Sequence, residues 1–326
     1  MSLRLYIIHR IFQAIPLLFI ISIISYLLMS LAPGDVLSMF EDPGASHLAT
    51  QNQRERVLER LGLDVPIYMQ YFNWIKGIVL HGNFGRSFLD GQPIIHLILE
   101  RMPATLTLTI TAILISLIIS IPIGIYSAVK RNSFFDLFFS FNSYLGISSP
   151  SFFIALMAIL FLSLKLEWFP VSGMRAVFDH FDFTDRISHL VLPASVLAFG
   201  MIAQYTRFIR SSMLEVINQD YIRTARAKGL SEFKVIGKHA LRNALLPIIT
   251  IIAMQLPIIV GGAFIIELLF AWPGLGRLGI QAVFMRNFPL IMGITMLVAV
   301  AIVLCNLLAD ILYAIVDPRI RFQKRG

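Results

Sequence analysis

The chain has 326 residues, 57% of them hydrophobic and 14% charged, with 26 Phe. A soluble domain carries about 25% charged residues, so this balance excludes an ordinary soluble fold and predicts an all-α integral membrane protein. The formal net charge of +8 does not point to nucleic acid, because the basic residues sit beside apolar runs, where anionic headgroups and an orientation signal account for them. The single cysteine, Cys305, lies inside an apolar run, which excludes a disulfide framework and a cysteine metal site.

Crossing about 30 Å of hydrocarbon takes roughly 20 mainly apolar residues. Six stretches meet that requirement: Ile11–Leu31, Ala104–Ile125, Phe134–Leu164 with Pro150 inside it, Leu190–Phe208, Leu246–Phe270 and Leu290–Val316. The first follows Arg4 and Arg10 but exceeds the roughly 7 to 15 apolar residues of a signal peptide, so it reads as an uncleaved anchor. Residues 32–102 are polar enough to fold outside the bilayer as one extracytoplasmic region capping an outer mouth, with alternating charges at helical spacing from Gln51 to Leu63. Residues 103–326 then form a five-helix core. Pro122, Pro150 and Pro193 read as plain kinks.

Orientation follows from Lys and Arg. Segments 1–10, 126–133, 207–245 and 317–326 hold 16 of the 27 basic residues, which places both termini in the cytoplasm. Arg277 and Arg286, on the other side, dissent.

The segment DYIRTARAKGLSEFKVIGKHALRNALLP, Asp220–Pro247, is basic and amphipathic. The fourth span is expected to continue as a cytoplasmic helix through Ile209, Met213, Val216 and Ile217. Gly229 stops the next helix in a left-handed conformation. Ser231 caps a further helix, near Glu232, with Val235, Ile236 and Ala240 as its apolar stripe. The product is a projecting elbow fit for a groove on a soluble partner, with the small Ala225 and Ala227 approaching closely and Arg226 and Lys228 at the rim. The other reading is a basic helix lying on anionic lipid.

Polar groups inside the spans are few. Asn142, Ser143, Ser148, Ser149 and Ser151 surround Pro150, and Gln204 and Gln255 follow; they line a translocation path or bond between helices. Glu267, near an outer end, and Asp310, near an inner end, are expected to stabilise helix ends or packing rather than couple ions, since both are within snorkelling reach of interfacial water. Pro273, Gly274 and Gly276 predict a tight turn or re-entrant segment at an outer gate. An intramembrane enzyme lacks its constellation, since none of the seven histidines lies in a span core and no H-E-x-x-H or G-x-S-x-G occurs. A self-sufficient secondary carrier is the stronger competitor.

The elbow resembles the cytoplasmic loop of ABC-importer permease subunits. The generic pattern is Glu-Ala-Ala, three residues, Gly, where this chain has Arg223, Thr224, Ala225 and then Gly229. The wording Thr224 to Leu230 and Arg242 to Pro247 is similar to the oligopeptide, dipeptide and nickel branch, as are GNFGRS (Gly82–Ser87), RMPATL (Arg101–Leu106) and IELLFAWPGLGRL (Ile266–Leu278). Asn287 stands where that branch has an aspartate. The resemblance implies a type I importer permease fold in a plasma or inner membrane. It also implies a second permease subunit, two cytoplasmic ATPase subunits holding ATP and Mg, an extracytoplasmic binding protein, and a peptide or nickel cargo. It places the ATPase-coupling surface on Tyr221, Thr224, Ala225, Arg226, Ala227, Lys228, Gly229 and Leu230. The sequence adds that no G-x-x-x-x-G-K-[ST] is present, so this chain has no nucleotide site of that kind and no cofactor of its own is expected.

Overall fold

The computed structural model describes residues 3–31, 56, 59, 64–175, 182–244 and 263–316, with side chains from 9 to 309. Apart from Arg56 and Glu59, the stretch of helical spacing from Gln51 to Leu63 lies outside the described residues, as do the first seventeen residues of Leu246–Phe270, with Gln255, and the side chain of Asp310. The described chain is helical: α1 Leu3–Ser30, α2 Ile67–His81, α3 Ile94–Val129, α4 Phe134–Ser148, α5 Ser151–Ala158, α6 Phe183–Ile217, α7 Asp220–Ala227, α8 Glu232–Lys234, α9 Leu241–Ala244, α10 Phe264–Leu269, α11 Leu275–Phe284 and α12 Phe288–Val316. π-wound stretches extend α5 over Ile159–Lys165 and join α8 to α9 over Val235–Ala240.

Four described helices are long and apolar enough to cross a membrane: His9–Ser30, Ile94–Val129, Phe183–Ile217 and Phe288–Ala309. Each contains or overlaps an expected span. Residues Phe134–Lys165 differ from expectation, being two helices bent by 103° rather than one kinked span. Proline clashes with the residue before it and pushes it out of the helical region. Here Ser149 (φ −84, ψ 126) and Pro150 (φ −61, ψ 131) are both extended, so two consecutive residues leave the helix. Pro193, by contrast, sits inside the unbroken α6, and Pro122 inside α3.

The contacts divide into two compact units. One is formed by Ser2–Met102 with Leu278–Val303, the other is centred on Pro103–Arg277. In the first, α1 and α2 meet through polar aromatics. Ser22 Oγ and Tyr71 Oη are 2.8 Å apart, Tyr26 donates to Gln70 at 3.1 Å, and the Tyr26 and Tyr71 rings meet edge to face at 5.4 Å. In the second, α3 presents small buried residues at helical spacing, Ala112, Ser116, Ser120, Gly124 and Ala128. Small residues let membrane helices approach closely, and a Cβ on Gly124 would stand 2.6 Å from Ile209 Cγ2 and 3.1 Å from the Thr206 carbonyl of α6. Gly124→Leu is therefore expected to force α3 and α6 apart, at about 1–3 kcal/mol or more. A lowered melting temperature of the purified protein checks this.

Candidate functional site

The elbow is built from α6 outward. α6 runs on to Ile217 as expected, and the chain turns at Asn218–Gln219 into α7. Lys228 caps α7 and Gly229 follows with φ +73, the left-handed geometry that ends a helix without a Cβ penalty only at glycine. Ser231 occupies the next N-cap position, yet its side chain accepts no bond from the helix. The corner is closed instead by an ion pair across it, with Arg226 Nε donating to Glu232 Oε1 at 2.8 Å. The returning limb is tied to the first by Asn243 Nδ2, which donates to Tyr221 Oη at 2.9 Å.

The inner side of the elbow is a core. Ile222 and Ala225 of α7, Val235, Ala240 and Ala244 of the returning limb, Tyr205, Ile209 and Met213 of α6, and Ile113 and Ala128 of α3 are buried together. This corrects one expectation: Ala225 is 6% exposed and packs within the chain, so its small size serves the elbow's own interior. Ile222 and Ala225 are three apart and share a helix face, which turns that face inward. Thr224, Arg226, Ala227, Lys228, Gly229 and Leu230 remain exposed, with Tyr221. Sequence reasoning passed over Phe233, which stands 88% exposed at the corner.

The second constellation joins two of the motif blocks. Trp272 Nε1 donates to the Ala104 carbonyl at 2.8 Å. Thr105 Oγ1 donates to Glu267 Oε1 at 2.9 Å and accepts from the Leu275 amide at 2.7 Å. The Arg277 amide donates to Glu267 Oε2 at 3.0 Å, and Arg277 Nη1 to the Ala271 carbonyl at 2.5 Å. Glu267 is fully buried, in keeping with a packing role but not with a side chain reaching interfacial water, and its carboxyl group is held by backbone and hydroxyl donors. Pro273 and Gly274 make the turn between α10 and α11, where Ala271 has φ +49. Gly276 lies against Phe264, where a Cβ would come within 2.8 Å of its Cα.

A third polar contact involves GNFGRS. Asn287 is 1% exposed. Its Nδ2 donates to Ser87 Oγ at 2.8 Å, and its Oδ1 accepts from the Phe88 amide at 3.2 Å. An asparagine supplies both a donor and an acceptor here. The α4 residues expected along a path bond within their own helix. Asn142, Ser148 and Ser149 each bond a carbonyl four residues back on α4, at 2.8, 2.8 and 2.7 Å. Among the described residues they bond to no other helix. Gln204 is half-buried on α6.

These features define a class: a multi-pass membrane protein with a long helix feeding a rigid corner and a buried polar knot at a tight turn. The comparisons agree with that class and narrow it. Residues 120–322 match the model described as binding-protein-dependent transport system inner membrane component, and residues 3–109 match its N-terminal companion. The chain belongs to this family. It is 46% identical to the oligopeptide transport system permease protein AppB of Bacillus subtilis, over 97% of this chain and 99% of that one. It is 42% identical to a putative peptide permease protein of Brucella suis, over 97% and 98%, and 38% identical to the dipeptide transport system permease protein DppB of Escherichia coli, over 98% and 99%. Its fold is similar to a chain of the inward-facing MetNI methionine ABC transporter, with a TM-score of 0.54 at 19% identity, covering 69% of this chain and 99% of that one.

Proposed function

We propose that this chain is the permease subunit of an ATP-driven peptide importer, forming the translocation path together with a second, similar permease subunit. The observation that carries this is near full-length similarity to permeases named for oligopeptides and dipeptides, joined to a rigid elbow that ends α6 in an exposed corner. The importer has two ABC ATPase subunits holding ATP and Mg, and one of them docks on that corner at Tyr221, Thr224, Arg226, Ala227, Lys228, Gly229 and Leu230. An extracytoplasmic binding protein delivers the peptide. Closure of the ATPase dimer moves the elbow and α6 as one body, and transport follows from the different contacts of the two states. The turn at Pro273, Gly274 and Gly276, with Glu267, supports the outer gate. Asn142, Ser148, Ser149, Gln204 and Gln255 are candidates for the path wall.

Both termini are cytoplasmic in this reading. Residues 32–102 form the extracytoplasmic region between the first and second spans, and 103–326 the permease core, with its coupling loop at 207–245. In a Cys305→Ala background, a cysteine at Asn132 is expected to resist an impermeant maleimide applied outside sealed cells, while cysteines at Gln92 and Ser172 react. Labelling of Asn132 from outside would reverse the topology. The function itself is tested by co-expressing the four membrane-associated subunits and the binding protein in proteoliposomes. ATP-dependent uptake of labelled peptide, without nickel uptake, is the expected result; nickel uptake instead would assign the cargo to the other branch.

A further inference from the structure

An ion pair inside the helical core has no part in the docking or gating described above. Asp136, in the first turn of α4, is 1% exposed. The Arg210 guanidinium of α6 grips it with two prongs, Nε to Oδ1 at 2.5 Å and Nη2 to Oδ2 at 2.8 Å. The Asn132 amide donates to Oδ2 at 2.9 Å, and the Ser140 hydroxyl to Oδ1 at 3.4 Å. Sequence reading passed over both charged residues, which stand 74 positions apart.

Their placement gives the pair a mechanical meaning. Arg210 follows Ile209 and precedes Met213 on α6, and both of those residues share one core with Ile222, Ala225, Val235 and Ala240 of the elbow. Arg210 therefore moves with the elbow. Asp136 belongs to α4, which ends at the 103° break before α5. Elsewhere along the seam α4 and α6 approach closely through small and aromatic side chains. A Cβ on Gly146 would stand 2.8 Å from Ala203 Cβ, and Arg207 lies 5.7 Å from the Tyr144 ring centre. Apolar contacts of this kind hold two helices close without fixing a direction along the seam, and packed helices can still shift by shear. A two-pronged guanidinium–carboxylate contact fixes direction as well as distance. A plain helix cap would not need it, because Ser133 already accepts from the Asp136 amide.

We propose that the Asp136–Arg210 clasp makes α4 follow α6, so that a displacement of the elbow reaches the break at Pro150 as rotation instead of being lost as slippage. The two residues are positioning residues for transport. The proposal rests on the reading of the elbow as the ATPase docking point.

The test uses the assembled importer in proteoliposomes and reads three quantities: co-purification of the ATPase subunits, ATP hydrolysis, and peptide uptake per ATP hydrolysed. Arg210→Lys keeps the charge but loses the fork, which makes it non-conservative at a two-pronged site. It is expected to assemble and hydrolyse ATP while uptake per ATP falls about five-fold. Asp136→Asn is expected to lower the same ratio about ten-fold or more, since it leaves the half-buried Arg210 without its counter-charge. Coupling within about two-fold of wild type in an assembled Arg210→Lys importer would overturn the clasp, on the same physical ground. So would failure of Arg210→Lys to assemble, which would make the pair a folding contact. Loss of wild-type co-purification is a different outcome and strikes the docking reading.

Discussion

Gly274→Ala is expected to abolish uptake and to lower the melting temperature of the importer. One methyl group is enough because the space is already filled: a Cβ at this position would stand 2.5 Å from Glu267 Cδ and 2.5 Å from Thr105 Oγ1. Neither neighbour is a free side-chain tip. Thr105 is held between Glu267 and the Leu275 amide, and Glu267 between Thr105 and the Arg277 amide. Moving either breaks bonds to buried groups, at about 1–3 kcal/mol for each group left unsatisfied, in addition to about 1–3 kcal/mol of overpacking. Thr105→Val tests the bonds without the crowding. It removes the hydroxyl that joins Glu267 to the Leu275 amide, with an expected loss of about 1–3 kcal/mol and partial uptake. Calorimetry of the purified importer and uptake in proteoliposomes measure both variants. Gly274→Ala with wild-type melting and uptake would mean that the knot is not packed this way, and the outer-gate role would fall with it.

Local requirements were legible in the sequence, and distant partners were not. Gly229 was readable because a helix stop with positive φ leaves a glycine in the text, and α6 because Ile209, Met213, Val216 and Ile217 keep its period. The 103° break at Pro150 was not. A proline marks the place where a helix is disturbed, but the angle depends on Ser149 also becoming extended. Ala225 was read as facing a partner because a small apolar residue suits a partner's groove and the chain's own core equally. Only the position of Ile222 and Val235 around it decides between them. Glu267 has its partner Thr105 at a separation of 162 residues, and Asn287 has Ser87 at 200. Such pairs appear in the text as separate motif blocks, RMPATL beside IELLFAWPGLGRL and GNFGRS beside Asn287, with nothing to say that they touch.

The elbow's outer face yields the last expected result, in which Phe233→Asp separates docking from folding. Phe233 is 88% exposed and contributes nothing to the buried core, so its replacement leaves the elbow folded. An exposed aromatic beside a rigid corner is the kind of anchor that dominates an interface when a pocket receives it. Its loss is expected to cost about 2 kcal/mol, roughly thirty-fold in affinity for the ATPase subunits. Gly229→Val acts by another route: nothing lies within 4 Å of an added Cβ there, but the φ of +73 strains a β-branched residue, at about 1 kcal/mol or more. Gly229→Asn, which tolerates that geometry, should keep uptake where Gly229→Val loses it. Ala225→Asp is the contrasting case, because it buries a charge in the elbow core and should lower the melting temperature before any partner is added. Co-purification of the ATPase subunits, with melting of the isolated chain measured alongside, reads all four variants. Phe233→Asp that melts normally and still binds its ATPase subunit at wild-type affinity would leave the corner a membrane-surface contact, and the coupling role would have to move elsewhere on the chain.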